Sequence, residues 1–132
     1  MIGVDTNVLL RLLVEEGSPQ NKIAADFFAQ RSPADPAYIS VIVLTELLWV
    51  LKRRYKFPPS ELVRVLHGLL DAADFTIERR DAVERAAARF GMPKLDFSDL
   101  LIAETNRDDG CTTTVSFDRE VSRRIPGMEL LK

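Results

Sequence analysis

The sequence predicts an α/β fold, a three-layer sandwich around a central parallel sheet. Short runs rich in β-branched and aromatic residues alternate with longer stretches of helical periodicity. Turn-forming residues punctuate the chain without dividing it, and no repeat, low-complexity tract or linker interrupts it. Strands separated by helices pair in parallel through right-handed crossovers, which puts helices on both faces of the sheet. With 132 residues, 46% of them hydrophobic, the chain is the size of one domain and can bury a core unaided, so a single domain over 1–132 is expected.

Strands are expected at 2–5, 38–41, 75–78 and 111–116, with a weaker run at 128–131. Helices are expected at 7–15, 21–31, 43–55, 60–70, 81–90, 98–107 and 119–124. Ile23 and Phe27 share a face of the second helix, and Leu62, Val65, Leu66 and Leu69 mark one face of the fourth. Gly17-Ser18-Pro19, the stretch 32–36, Phe57-Pro58-Pro59 and Gly91-Met92-Pro93 are turns, and Gly110 ends the sixth helix before the fourth strand.

The totals exclude several classes. One cysteine and one histidine rule out a disulfide framework and a Cys/His zinc site, which suits a reducing compartment. Cys111 is expected to be a small core hydrophobe opening the fourth strand, and His67 to be structural in an amphipathic helix. No basic leader precedes Asp5 and no apolar run approaches a membrane span, so a cytoplasmic protein with no membrane contact is expected. A net charge of −2 excludes nucleic-acid binding through bulk positive charge, so any such binding must be local.

Four acids carry the chemistry. In a doubly wound sheet, ligands sit outside the carboxyl ends of the strands, where helix N-termini also lie. Asp5 ends the first strand, Asp118 follows the fourth, Asp99 is in the first turn of the sixth helix, and Glu46 is in the first turn or so of the third. All four are therefore expected on one rim. Glu46 is the only charge in the apolar run 41–51, and the other three also have apolar sequence neighbours, company that surface acids rarely keep. Two carboxylates about 4 Å apart repel by roughly 4 kcal/mol at an effective dielectric of 20, so such a cluster calls for compensation. No Arg or Lys adjoins Asp5, Glu46 or Asp99, although Arg119 follows Asp118. Oxygen-only ligands select Mg2+ or Mn2+ over zinc, and open sites of that kind serve phosphate chemistry.

The local wording of these acids is Val4-Asp5-Thr6-Asn7-Val8-Leu9-Leu10, then Ile39-Ser40-Val41-Ile42-Val43-Leu44-Thr45-Glu46-Leu47. Asp96-Phe97-Ser98-Asp99-Leu100-Leu101-Ile102-Ala103 and Val115-Ser116-Phe117-Asp118-Arg119 follow. In order and interval, over essentially the whole chain, these stretches resemble the PIN-domain nucleases, and in length the VapC toxins of toxin-antitoxin pairs. The resemblance implies a parallel sheet in order 3-2-1-4-5, a Mg2+ or Mn2+ site on the four acids and endonucleolytic cleavage of RNA by in-line attack. It also implies a homodimer and inhibition by a cognate VapB-like antitoxin. Ser116 stands where the family more often has Thr, and its hydroxyl keeps a supporting role open.

Around the acids, Thr6 and Asn7 are placed to orient Asp5 or a phosphate. Asp96 either joins the site or caps the sixth helix. Lys52, Arg53 and Arg54, followed by Tyr55 and Lys56, either grip an RNA backbone and stack a base or form a solvated helix end; Arg119 is a further cation near the rim. Phe27, Phe28 and Trp49, with Leu9, Leu12 and Leu13, exceed the apolar surface a small sandwich needs, unless they fill its core; a second copy or an antitoxin helix would cover the excess. Two rival readings fail on residues: a haloacid-dehalogenase phosphatase needs an acid where Asn7 stands, and a phospho-receiver needs an acidic pair after the first strand. A PIN nuclease of RNA processing and an inactive interaction module stay as alternatives.

Overall fold

The computed structural model describes residues 1–92 and 95–132; Pro93, assigned above to a turn, lies outside the described residues. The contacts cluster into two units, Met1–Glu78 and Arg79–Lys132.

The first unit contains β1 (Ile2–Gly3), α1 (Thr6–Leu13), α2 (Pro19–Ala29), β2 (Ala37–Ile39), α3 (Val41–Arg53), α4 (Pro59–Asp71) and β3 (Phe75–Ile77). Its sheet has the order β1-β2-β3, parallel throughout, with Gly3 opposite Tyr38 and Ile39 opposite Ile77. Helices begin where the sequence supplies caps. Ser18 closes a capping box with Asn21 and Pro19 takes the first helical position, so α2 starts two residues before its apolar periodicity does. Pro59 starts α4 in the same way, because a proline at that position forfeits only an N–H that has no helical partner.

Helix packing builds the core of this unit: Leu9, Ile39, Leu44, Leu47, Leu51 and Leu66 are fully buried. Phe28 joins them, in ring contact with Phe27 and Phe75. The apolar excess read from sequence therefore divides, with Leu9 and Phe28 inside while Trp49 remains 60% exposed. His67 is exposed on α4 and takes no part in this core.

The second unit contains α5 (Arg80–Arg89), α6 (Phe97–Asp108), β4 (Thr114–Ser116), α7 (Arg119–Arg124) and β5 (Met128–Leu130), with β4 and β5 parallel. Ala82, Val83, Ala86 and Ala87 give α5 a small-residue face, which packs on α6 and its buried Leu100, Leu101 and Ala103. Arginines reinforce the contact: Arg85 bonds Glu104 at 2.7 Å and Asp108 at 2.5 Å, and Arg107 bonds Glu104 at 2.6 Å. Gly110, at φ +97°, ends α6 as expected; its N–H donates to the Arg107 carbonyl and that of Cys111 to the Asn106 carbonyl. That closure corrects the fourth strand. Cys111 is spent on ending the helix, so β4 begins only at Thr114 and the thiol is exposed rather than buried in a core.

An α/β fold with parallel strand pairing is thus present. No helix among the described residues is long and apolar enough to cross a membrane.

Asn21 uses its full hydrogen-bonding capacity. Its Nδ2 donates to the Arg11 and Val14 carbonyls, both at 2.8 Å, and its Oδ1 accepts from Ser18 N at 3.1 Å and Glu16 N at 3.3 Å. Because the residue is buried, Asn21→Ala orphans several backbone groups and should cost roughly 2 kcal/mol, read as a lower urea midpoint at unchanged slope. Cys111 should react with a maleimide in the native protein as fast as in urea.

Candidate active site

In the first unit the carboxyl edge of the sheet gathers polar groups in register. Asp5 follows β1 and caps α1, its Oδ1 accepting the Thr6 N–H at 2.7 Å. Val4 N donates to the Tyr38 carbonyl, which aligns this edge with the end of β2, and there Ser40 caps α3 through a 3.2 Å bond from Val43 N. Glu78 completes the row. Its N–H donates to the Ile39 carbonyl, and its Oε1 accepts the first N–H of α3, from Val41, at 2.8 Å. Sequence reading treated Glu78 only as the end of a strand; the signal was available, since it follows β3 as Asp5 follows β1.

Glu46 is the sixth residue of α3, in the second turn rather than the first, because capping by Ser40 and Glu78 starts the helix at Val41. It is exposed, as are Asp5 and Asp118. The inference from apolar sequence neighbours to burial fails for a geometric reason. Successive residues of a helix point about 100° apart, so Leu44, Leu47, Leu48 and Leu51 bury one face while Glu46 rides the opposite one.

A cavity of about 560 Å³ lies beside Asp5, walled mainly by Ile2, Val4, Val8, Ile23 and Phe27, with Asn7, Arg11 and Gln20 as polar lining. Thr6 supplies its backbone N–H to Asp5, while its buried Oγ1 has no hydrogen-bond partner among the described residues. Asn7 is exposed.

In the second unit Asp118 follows β4 and caps α7, with Oδ1 accepting from Val121 N at 3.1 Å. The Ser116 hydroxyl accepts the Asp118 N–H at 3.0 Å, and Ser122 Oγ donates to the Asp118 carbonyl at 2.7 Å. Asp99 is the third residue of α6 and partly buried. Asp96 occupies the N-cap position without a side-chain capping bond. Burial first, then the charges of Asp96 and Asp118, raise the Asp99 carboxyl above its ordinary pKa.

The acids further along α6 and at its end set Asp99 apart: arginines take Glu104, Asp108 and the C-cap Asp109, whereas no Lys or Arg pairs with Asp99 among the described residues. The same holds for Asp5, Glu46 and Asp118. Among the described residues, no three His, Cys, Asp or Glu side chains form a ready-made metal-binding group. The donor set is nonetheless the kind a hard divalent cation takes, being all carboxylate oxygens, and in the second unit the crowding of Asp99 by Asp96 and Asp118 is a strain such a cation would relieve. Lys52, Arg53 and Arg54 are exposed at the end of α3, and Arg119 is exposed at the start of α7.

A raised carboxyl pKa means that the folded state favours protonated Asp99. Its contribution to stability is complete in acid and is lost as pH rises through the folded pKa. Asp99→Asn should therefore unfold at a higher denaturant midpoint than wild type in EDTA at neutral pH. The gain should stay under about 1 kcal/mol because solvent screens the site, and should vanish in acid.

Compared with curated proteins, the chain matches none. Compared with protein families, it matches the PIN domain over residues 2–125, nearly its whole length and across all four acids. PIN domains are nucleases, and the paired parallel strands with carboxylates at their ends are in keeping with that match. The chain belongs to the PIN domain family.

Proposed function

We propose that this protein is a Mg2+-dependent endoribonuclease, the toxin of a type II toxin-antitoxin pair, with Asp5, Glu46, Asp99 and Asp118 holding the metal. Mn2+ would serve in its place. The observation that carries the reading is the absence of cationic partners at these four acids among the described residues, in a chain whose other acids of α6 are paired with arginines. The family match across residues 2–125 supplies the reaction class, and because it runs through both units we assign them to one PIN domain with strand order 3-2-1-4-5 in a three-layer sandwich.

When bound, the ion supplies Lewis acidity at the scissile phosphate and lowers the pKa of the attacking water. The remaining tasks fall to the chain. Asp5 and Asp118 each spend one oxygen on a helix cap, which fixes the carboxylate and leaves the second oxygen to face a ligand. Ser116 holds the backbone of Asp118 in place, and the Thr6 N–H orients Asp5. Asp99, crowded by the charges of Asp96 and Asp118, is the carboxylate whose charged form a bound cation would most relieve. Asp96 adds negative charge beside it, and Asn7 and the cations Lys52, Arg53, Arg54 and Arg119 contact the RNA. The toxin would act in the cytoplasm as a homodimer and be silenced by a VapB-like antitoxin.

Asp5→Asn, Glu46→Gln and Asp99→Asn should each lower RNA cleavage by about 100-fold or more while unfolding stays cooperative. Excess EDTA should abolish cleavage by the wild type and Mg2+ restore it. Undiminished cleavage in either experiment defeats the mechanism. Expression should arrest growth, with arrest relieved by a small partner protein; a nuclease that cleaves RNA yet leaves growth untouched is an RNA-processing enzyme instead.

A further inference from the structure

The largest exposed aromatic surface on α3 is Trp49, 60% accessible and three residues beyond Glu46. At 100° per residue, Ile42, Glu46, Trp49 and Arg53 fall in one strip about 60° wide, and all four are exposed. The opposite face is buried through Leu44, Leu47, Leu48 and Leu51. Along the strip the Trp49 position lies about 4.5 Å past Glu46 and the Arg53 position about 6 Å further. The Arg53 guanidinium lies over one face of the Trp49 ring, 5.6 Å from its centroid, so the other face of the indole is the one open to a stacked ring, with a cation beside it.

The sequence had offered Tyr55 as the aromatic among the basic residues. The structure presents it less: Tyr55 is only partly exposed and its hydroxyl is buried. Trp49 is the exposed aromatic of α3, and Lys52, Arg53 and Arg54 make the same end of the helix cationic.

We propose that Trp49 and Arg53 form a stacking platform for an unpaired base of single-stranded RNA, next to the carboxylate that cleavage uses. This rests on the ribonuclease reading above and names its substrate class. Two physical reasons select this occupant. A nucleobase offers a π face to the indole ring while its phosphate meets the guanidinium, so ring and charge are both matched. A base inside a duplex has its faces covered by its neighbours, so only an unstacked base can lie on the ring, and single strands bind in preference. The platform also accounts for nucleic-acid binding by a chain of net charge −2, because it places the cations on one helix end.

Trp49 is the sole tryptophan, so its fluorescence reports the platform directly. A mixed-sequence 12-nucleotide RNA, added with Mg2+ and read on mixing, should quench it, and the matched duplex should not. By anisotropy of the labelled RNA, Trp49→Ala and Trp49→Leu should bind roughly 10-fold more weakly, and Trp49→Phe should keep most of the affinity. In cleavage assays the Trp49→Ala loss should appear in KM with kcat largely kept. Arg53→Ala should reduce the salt slope of binding by about one.

Equal quenching by duplex, or an unchanged KM for Trp49→Ala in an enzyme that cleaves RNA, overturns the platform and leaves the nuclease assignment standing. A Trp49→Ala variant that turns a dimer into a monomer at unchanged RNA affinity shows the face to be a contact between copies, and likewise overturns it. Wild-type protein that neither binds nor cleaves the RNA overturns both. A single-stranded DNA of the same sequence should stack equally on the ring, because the platform reads the base face; quenching confined to DNA overturns the RNA assignment.

Discussion

Carboxylates that have no cationic partner among the described residues are the constraint around which this protein is arranged. A carboxylate on a small domain is ordinarily solvated or paired, and three at the far end of α6 are paired: Glu104 and Asp108 with Arg85, and Asp109, just past the helix, with Arg79. Those contacts stitch α5 to α6. Asp99 stands roughly one and a half to three turns away and receives no such pairing among the described residues, only partial burial and the fields of Asp96 and Asp118. Stability would be served by an arginine there. Its absence among the described residues is in keeping with a group available to a ligand from outside the chain.

The chain meets the cost of such groups with backbone. Asp5 and Asp118 each stand at the end of a strand and at the start of a helix, where the N–H groups of the first turn have no helical partners. Their carboxylates satisfy those donors and gain from the helix dipole, so the same side chain both completes the fold and presents an oxygen outward. Glu78 extends this logic by latching the first N–H of α3 to the end of β3 across 37 residues of sequence. That bond fixes the start of α3 at Val41, and the buried Leu44, Leu47, Leu48 and Leu51 turn Glu46 and Trp49 to the opposite face.

Placement also separates two opposite electrostatic demands. Acids that would hold a cation sit at strand ends and first or second helical turns, whereas Lys52, Arg53 and Arg54 sit at the far end of α3, where cations favour the carbonyl end of the helix. On the reading proposed here, an anionic polymer is met by the cations and the indole ring while the divalent ion reverses the sign of the field at the carboxylates.

How much of this was legible in the residues differs element by element. Periodicity of 2 and 3.6 located the twelve elements found among the described residues, and the parallel pairing of the strands followed from helices between them, because these are local properties of the chain. Strand-end acids were legible for the same reason, as was the terminator at Gly110, whereas Ser18 read as part of a turn rather than as the cap of α2. Element boundaries were not: α3 begins at Val41 because Glu78, remote in sequence, supplies an acceptor, and β4 is short because Cys111 is used to close α6. Nor was exposure, since apolar neighbours along the chain do not remain neighbours on a helix; Glu46 lies outward, Trp49 is exposed and Tyr55 is only partly so. Composition and local pattern depend on residues a few places apart and are written in the sequence, whereas which side chain meets solvent and which backbone group finds a partner depend on segments brought close only by folding.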